Sequence, residues 1–268
     1  MSSLQSRVLV SVIGVPVLVW VVLWAPSIVM MVALVLLAGI GAYELMKCVG
    51  TQDGVLRWLT VFFAGATIGV YAGSYTNYES VIWIIYGITA FIYAVWKAGE
   101  VKLVQVLSGL FAVIAIPYSF SAFLRMEASG MHRAYLLLPF ILSFACDTFA
   151  YFAGRAFGKH KLAPKVSPKK TIEGSIGGMA GNVVCGLLFA FVMDRWFGGS
   201  IGYGAMALLS LVCSIVAQVG DLSFSLIKRE FGIKDYGHLF LEHGGVLDRF
   251  DSVLFVTPVI EIILNLVK

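Results

Sequence analysis

The amino-acid sequence predicts an all-α, polytopic integral membrane protein with about nine transmembrane helices and a cytoplasmic N-terminus. Three observations carry that expectation. Of the 268 residues, 60% are hydrophobic and only 13% charged, whereas soluble domains run at ~45–50% apolar and ~25% charged. Uncharged apolar runs recur along the chain, most of them close to the ~20 residues that a bilayer-crossing helix needs. The basic residues collect in alternate connections between those runs, the bias that orients membrane helices. A soluble fold of this size could not hide so much apolar surface, and the same composition excludes intrinsic disorder. The formal net charge of +4 gives no support to a nucleic-acid partner.

Taken in order, the runs are 8–24, 28–46, 58–74, 80–96, 103–124, 134–152, 175–193, 201–220 and 252–267. The first follows Arg7 and could be taken for a signal peptide. It is longer than the ~7–15 apolar residues usual there, and Pro26-Ser27 reads as a tight turn into the second helix. The second run carries Glu44 near its end, the sixth Asp147 and the last Glu261. Their lengths rule out barrel strands, which would be ~10 residues of alternating polarity. With the N-terminus inside, nine spans place 15 of the 19 Lys and Arg residues on the cytoplasmic side, leaving Arg125, Arg133, Arg195 and Lys268 outside. Removing one span would scramble that division. The four cysteines, Cys48, Cys146, Cys185 and Cys213, lack metal-ligand spacing and read as small packing residues. No internal repeat appears, and residues 1–268 read as a single membrane-embedded domain.

Charge is concentrated in two windows, 147–174 and 221–251, which hold 18 of the 34 charged residues. Both face the cytoplasm in this topology. A basic cytoplasmic loop can simply contact anionic lipid heads, but the second window has six acids against four bases. Retention by positive charge therefore does not explain it.

In the first window Asp147, Tyr151 and Arg155 are spaced to share one helix face. Pro164 and Pro168 flank Ser167, and Lys169, Lys170 and Thr171 precede a glycine-containing helix entry. Hydroxyls, lysines and open backbone at a helix N-terminus suit a polyphosphate. No G-x-x-x-x-G-K-[ST] run occurs, so a Walker-type phosphate loop is not indicated. Gly177 and Gly178 serve either that site or close helix packing.

In the second window Asp221 closes the eighth run, while Asp248 and Asp251 open the ninth. Carboxylates converging at a membrane edge beside lysine and arginine would bind Mg²⁺, which takes one or two carboxylates plus phosphate oxygens and water. Gly244-Gly245 permits a positive φ and close backbone approach to a ligand. His243 fits hydrogen bonding better than ligation of so hard a cation. For Asp248 and Asp251 the alternative is compensation of a helix dipole.

The run S-L-I-K-R-x4-K-D-x-G-x2-F-x2-H-G-G-V-x-D-R-F-D, from Ser225 to Asp251, resembles the signature of the phosphatidate cytidylyltransferase (CDP-diacylglycerol synthase) family. The stretch D-T-x-A-Y-x2-G-R-x-F-G-K-H-K-L-x-P-x-V-S-P-K-K-T-x-E-G-x2-G-G, from Asp147, is similar to that family's preceding segment. One departure stands out: Leu241-Glu242 occupies the place of the family's usual Pro-Gly.

The resemblance implies condensation of CTP with phosphatidate to CDP-diacylglycerol and pyrophosphate, with Mg²⁺ and a second, monovalent cation as a further candidate. It implies homodimers, with CTP, phosphatidate and membrane lipid as partners. Asp221 and Asp248 become the metal ligands, with Asp251 and Asp147 as neighbours. Lys228 and Arg249 join Asp221 and Asp248 as catalytic candidates, and Ser167, Lys169, Lys170, Thr171, Arg229, His243, Gly244 and Gly245 are assigned to phosphate binding. The length, without an N-terminal extension, leads to the expectation of a bacterial inner membrane. The competing reading is an ion-coupled transporter relaying through Asp147, Asp221 and Glu261, disfavoured because most acids cluster at the cytoplasmic edge. A CDP-alcohol phosphotransferase would need a D-G-x2-A-R-type motif, which this chain lacks.

Overall fold

The structure is a computed structural model that describes residues 3–72, 78–199, 201–239 and 244–267. Among these the chain forms nine long helices: α1 (Ser3–Leu23), α2 (Ser27–Cys48), α3 (Gly54–Ala72), α4 (Glu79–Trp96), α5 (Leu103–Ala128), α6 (Leu138–Phe157), α7 (Ile172–Trp196), α8 (Tyr203–Glu230) and α9 (Val246–Val267). A 3-10 turn over Arg133–Leu137 leads into α6. Eight helices are long and apolar enough to cross a membrane, and α1 adds a shorter apolar stretch, Val12–Leu23. The protein is an integral membrane protein of all-α architecture, as its composition requires.

Each expected run falls mainly within a helix, with differences at the ends, and residues 73 and 74 of the third run lie outside the described residues. Pro26 caps α2 as the turn reading expected, its carbonyl accepting from Val29 at 2.8 Å. The eighth helix continues to Glu230 and the ninth begins at Val246, so Asp221 lies inside α8, and Asp248 and Asp251 lie in the first two turns of α9. At ~1.5 Å per residue the 28 residues of α8 extend about 42 Å, beyond the ~30 Å hydrocarbon core. The surplus carries Lys228, Arg229 and Glu230. The connection from α6 to α7, expected as a loop, contains a two-stranded antiparallel hairpin, β1 (Lys161–Ala163) and β2 (Ser167–Thr171). Three and five residues are too few to show alternation against the lysine-rich background.

The chain divides into two compact units, one of residues 1–125 and 230–250, the other of 126–229 and 251–268. The core of the first gathers Met46, Leu56, Tyr86, Ala90, Val106 and Val113. Tyr86 is fully buried there, its hydroxyl 2.8 Å from Thr60 Oγ1. An unpaired hydroxyl in that setting would cost ~1–3 kcal/mol.

The second unit is built on close packing of α6 and α7. A Cβ at Gly174 would come within 2.8 Å of the Ala150 carbonyl, and one at Gly178 within 2.8 Å of the Cys146 carbonyl. One at Gly177 would overlap Ala153, and one at Gly181 the ring of Phe149. The glycines of α7 therefore serve helix packing, which answers the alternative left open for Gly177 and Gly178. Polar side chains tie α8 to the pair: Asn182 Nδ2 donates to the Ser210 carbonyl at 3.1 Å and to Ser214 Oγ at 3.0 Å. Such bonds average ~0.6 kcal/mol each in membranes.

Candidate active site

In the second unit α6, the hairpin, α7 and α8 enclose a cavity of about 400 Å³. Asp147, Tyr151 and Arg155 line it from α6, sharing a face as their spacing expected, and Arg155 donates to Tyr151 Oη at 3.2 Å. Ser167, Lys169, Lys170 and Thr171 line it from β2, Ser175 from α7 and Gln218 from α8. The hairpin brings these four hydroxyl and lysine positions to the mouth of α7. Thr171 is the N-cap of that helix, accepting from Gly174 N–H at 3.1 Å. A capping oxygen takes one of the orphan donors of the first turn, so the threonine oxygen anchors the site's geometry as well as lining it.

Lys170 forms an ion pair with Asp221. Ser225, one turn further along α8, donates to Asp221 Oδ1 at 3.3 Å. A group assigned to phosphate thus neutralises a carboxylate assigned to metal. Asp251 is buried, with Oδ1 accepting its neighbour Ser252's N–H at 2.7 Å. Arg229 donates through Nε to the Val166 carbonyl at 3.3 Å, holding the hairpin turn to the end of α8. Lys228 stands half-exposed on the last turn of α8. Glu173 is occupied structurally: it accepts from Lys159 N–H at 3.0 Å and pairs with His160 Nδ1 at 2.6 Å.

The first unit holds the other half of the signature. Asp248 is 8% exposed, and its Oδ2 accepts from Tyr236 N–H at 2.7 Å and Gly245 N–H at 2.9 Å. Gly244 has φ +85°, the conformation expected of it. Glu44 of α2 accepts from the Val246 and Leu247 N–H groups at 3.0 and 2.9 Å. These are the first two amides of α9, and Gly245 before them has no side chain to cap them. The dipole reading therefore holds for Asp248 to the extent that one of its oxygens closes the turn, while the external cap is Glu44. In the sequence Glu44 is only an acid within a span, and nothing local joins it to partners 202 and 203 positions away. Arg249 is exposed on the same first turn. His243, with Leu241 and Glu242, lies outside the described residues.

Among the described residues no group of three or more His, Cys, Asp or Glu is poised around a metal position. The donor set still fits a hard divalent cation, because Asp147 at the cavity and Asp221 beside Lys170 offer carboxylate oxygens alone. Mg²⁺ characteristically keeps water and substrate phosphate oxygens in its shell, so two carboxylates suffice.

The sequence model described as the Cytidylyltransferase family matches residues 5–267. A phosphatidate cytidylyltransferase of Staphylococcus haemolyticus (strain JCSC1435) is 38% identical over 172 residues, 64% of this chain and 64% of that protein. One of Staphylococcus saprophyticus is 38% identical over 161 residues, 59% of this chain and 60% of that protein. One of Staphylococcus aureus (strain COL) is 37% identical over 172 residues, again 64% of each. The chain thus matches under two thirds of the length of these relatives.

Proposed function

The chain belongs to the cytidylyltransferase family, and on that premise we propose that it condenses CTP with phosphatidate, giving CDP-diacylglycerol and pyrophosphate. The observation that carries the proposal is the cavity where Ser167, Lys169, Lys170 and Arg155 face Asp147, with Asp221 paired to Lys170. Cations and hydroxyls at a helix entry suit a triphosphate, and the carboxylates suit the cation that accompanies it. The relatives named phosphatidate cytidylyltransferase point to the lipid partner.

In this reaction an oxygen of the phosphatidate phosphate attacks the α-phosphorus of CTP in line. The bond from that phosphorus to the bridging oxygen of the β-phosphate breaks, and pyrophosphate leaves. A phosphate oxygen is already nucleophilic near neutral pH, so no protein nucleophile is needed. Lys169, Lys170, Arg155 and Arg229 offset charge on the phosphates, with Ser167 and Thr171 donating hydrogen bonds. Lys228 and Arg249 carry further positive charge at the helix ends. Positioning and electrostatic stabilisation supply the acceleration. Asp147 and Asp221 would hold Mg²⁺, and Asp251 and Asp248 are the further carboxylates of the signature proposed for the reaction. The bound ion supplies positive charge to the polyphosphate. Lys170, paired with Asp221 in this structure, would be free to meet a phosphate oxygen with a cation at that carboxylate in its place. The protein works as a homodimer in a bacterial inner membrane, with the site facing the cytoplasm.

The test is conversion of labelled CTP in detergent micelles containing phosphatidate, with pyrophosphate release measured alongside. Asp221→Asn is expected to lower turnover at least about 100-fold, in line with the loss of a metal-site carboxylate. Near-normal turnover of that variant would remove Asp221 from the metal site. Ion flux in reconstituted vesicles without CTP consumption would overturn the enzymatic reading.

A further inference from the structure

Glu44 is a carboxylate on a helix that contributes nothing else to the signature, yet it holds the turn that presents Asp248. It is 4% exposed, and each of its oxygens accepts one backbone amide, Oε1 from Val246 and Oε2 from Leu247. Two glycines are shaped around it. A Cβ at Gly237 would stand 2.5 Å from Glu44 Oε1, and one at Gly245 would overlap the whole carboxylate. The Gly245 N–H meanwhile donates to Asp248 Oδ2 at 2.9 Å, and the Tyr236 N–H does so at 2.7 Å. Residues on both sides of the turn are therefore fixed by two acids, one local and one from α2.

We infer that Glu44 is a positioning residue for the reaction, acting through the first turn of α9 to fix the orientation of the Asp248 carboxylate. The inference rests on the proposed reaction and on Asp248 serving its cation. The chemistry of the cap makes the choice of side chain specific. A carboxylate offers an acceptor to both amides, and its negative charge opposes the positive end of the helix dipole. Glutamine has the same shape but one acceptor oxygen, so its amide group would face an N–H group donor to donor. Alanine leaves both amides unsatisfied in a buried position.

The experiment uses the full chain in detergent micelles. Hydrogen–deuterium exchange, run without substrate or metal, should show faster exchange across residues 246 and 247 in Glu44→Gln than in the parent chain. Turnover measured against Mg²⁺ concentration should show half-saturation moved up by about 10-fold or more, the range for losing an orienting partner of a metal ligand. A role confined to stability would reduce the active fraction and leave that half-saturation in place. Gly237→Ala keeps the carboxylate but crowds it, and is expected to move the half-saturation in the same direction. It also serves if Glu44→Gln does not fold. Asp248→Asn is the reference. If it loses activity while Glu44→Gln and Gly237→Ala keep the parent Mg²⁺ dependence, the positioning role is wrong and the reaction stands. If Asp248→Asn is itself fully active, Asp248 has no part in the reaction and the inference falls with it.

Discussion

Asp53, in the connection between α2 and α3, shows how one carboxylate can be held charged at a membrane edge. Burial pushes its pKa up, but the Leu56 N–H at 3.0 Å, the Tyr93 hydroxyl at 2.7 Å and the Val55 N–H outweigh it, and the net direction is down. A depressed folded pKa means that this group adds stability above its unfolded pKa of ~3.9 and loses it as pH falls through the folded value. Asp53→Asn should therefore melt below the parent chain near neutral pH, and the gap should narrow once the pH drops below about 4. Melting in detergent across that range reads it, and a gap independent of pH would count against the assignment. At this scale the sequence made the candidate residues legible and left their partners open. Lys170 was expected to meet a phosphate and is found on Asp221, because an ammonium near the membrane edge takes the carboxylate at hand.

Among the elements, α7 is the one whose composition is explained most completely by its neighbour. Gly174, Gly177, Gly178 and Gly181 all meet α6 at distances that exclude a side chain. Two helices in lipid gain little from hydrophobic burial against each other, so backbone proximity and dispersion hold them. Gly181→Ala would drive a methyl group into the ring of Phe149, and overpacking of this kind costs ~1–3 kcal/mol. The expected result is a lower melting temperature in detergent, with Phe149→Ala in the Gly181→Ala background recovering part of it. Additive losses in the double variant would show that the ring is not the obstacle. The hairpin β1–β2 is the element the sequence did not disclose. Its strands are too short for periodicity to register, and they form where Arg229 and the α7 cap fix the chain.

Across the whole molecule, the division of basic residues predicts which connections face the cytoplasm. In a background without Cys48, Cys146, Cys185 and Cys213, a cysteine replacing exposed Lys159 and one replacing exposed Arg195 should report opposite faces. Arg195→Cys is expected to react with an impermeant maleimide on intact cells, and Lys159→Cys only after permeabilisation. The reverse pattern would invert the topology and move the cavity to the outer face.

The sequence by itself determined the solvent, the helices and the residue types available for chemistry. Hydropathy over ~20 residues is a local quantity, and a long motif is read directly from its letters. It also marked the positive φ of Gly244, since a Gly-Gly pair has few other uses before a helix. Only the tertiary structure decided which groups meet. Glu44 caps α9 from α2, Lys170 neutralises Asp221 from the hairpin, and the glycines of α7 seat α6. The physical reason is common to all three. A buried amide, a charge near lipid and a close backbone contact must each be satisfied by whatever the fold brings near, and nearness in space leaves no periodicity along the chain.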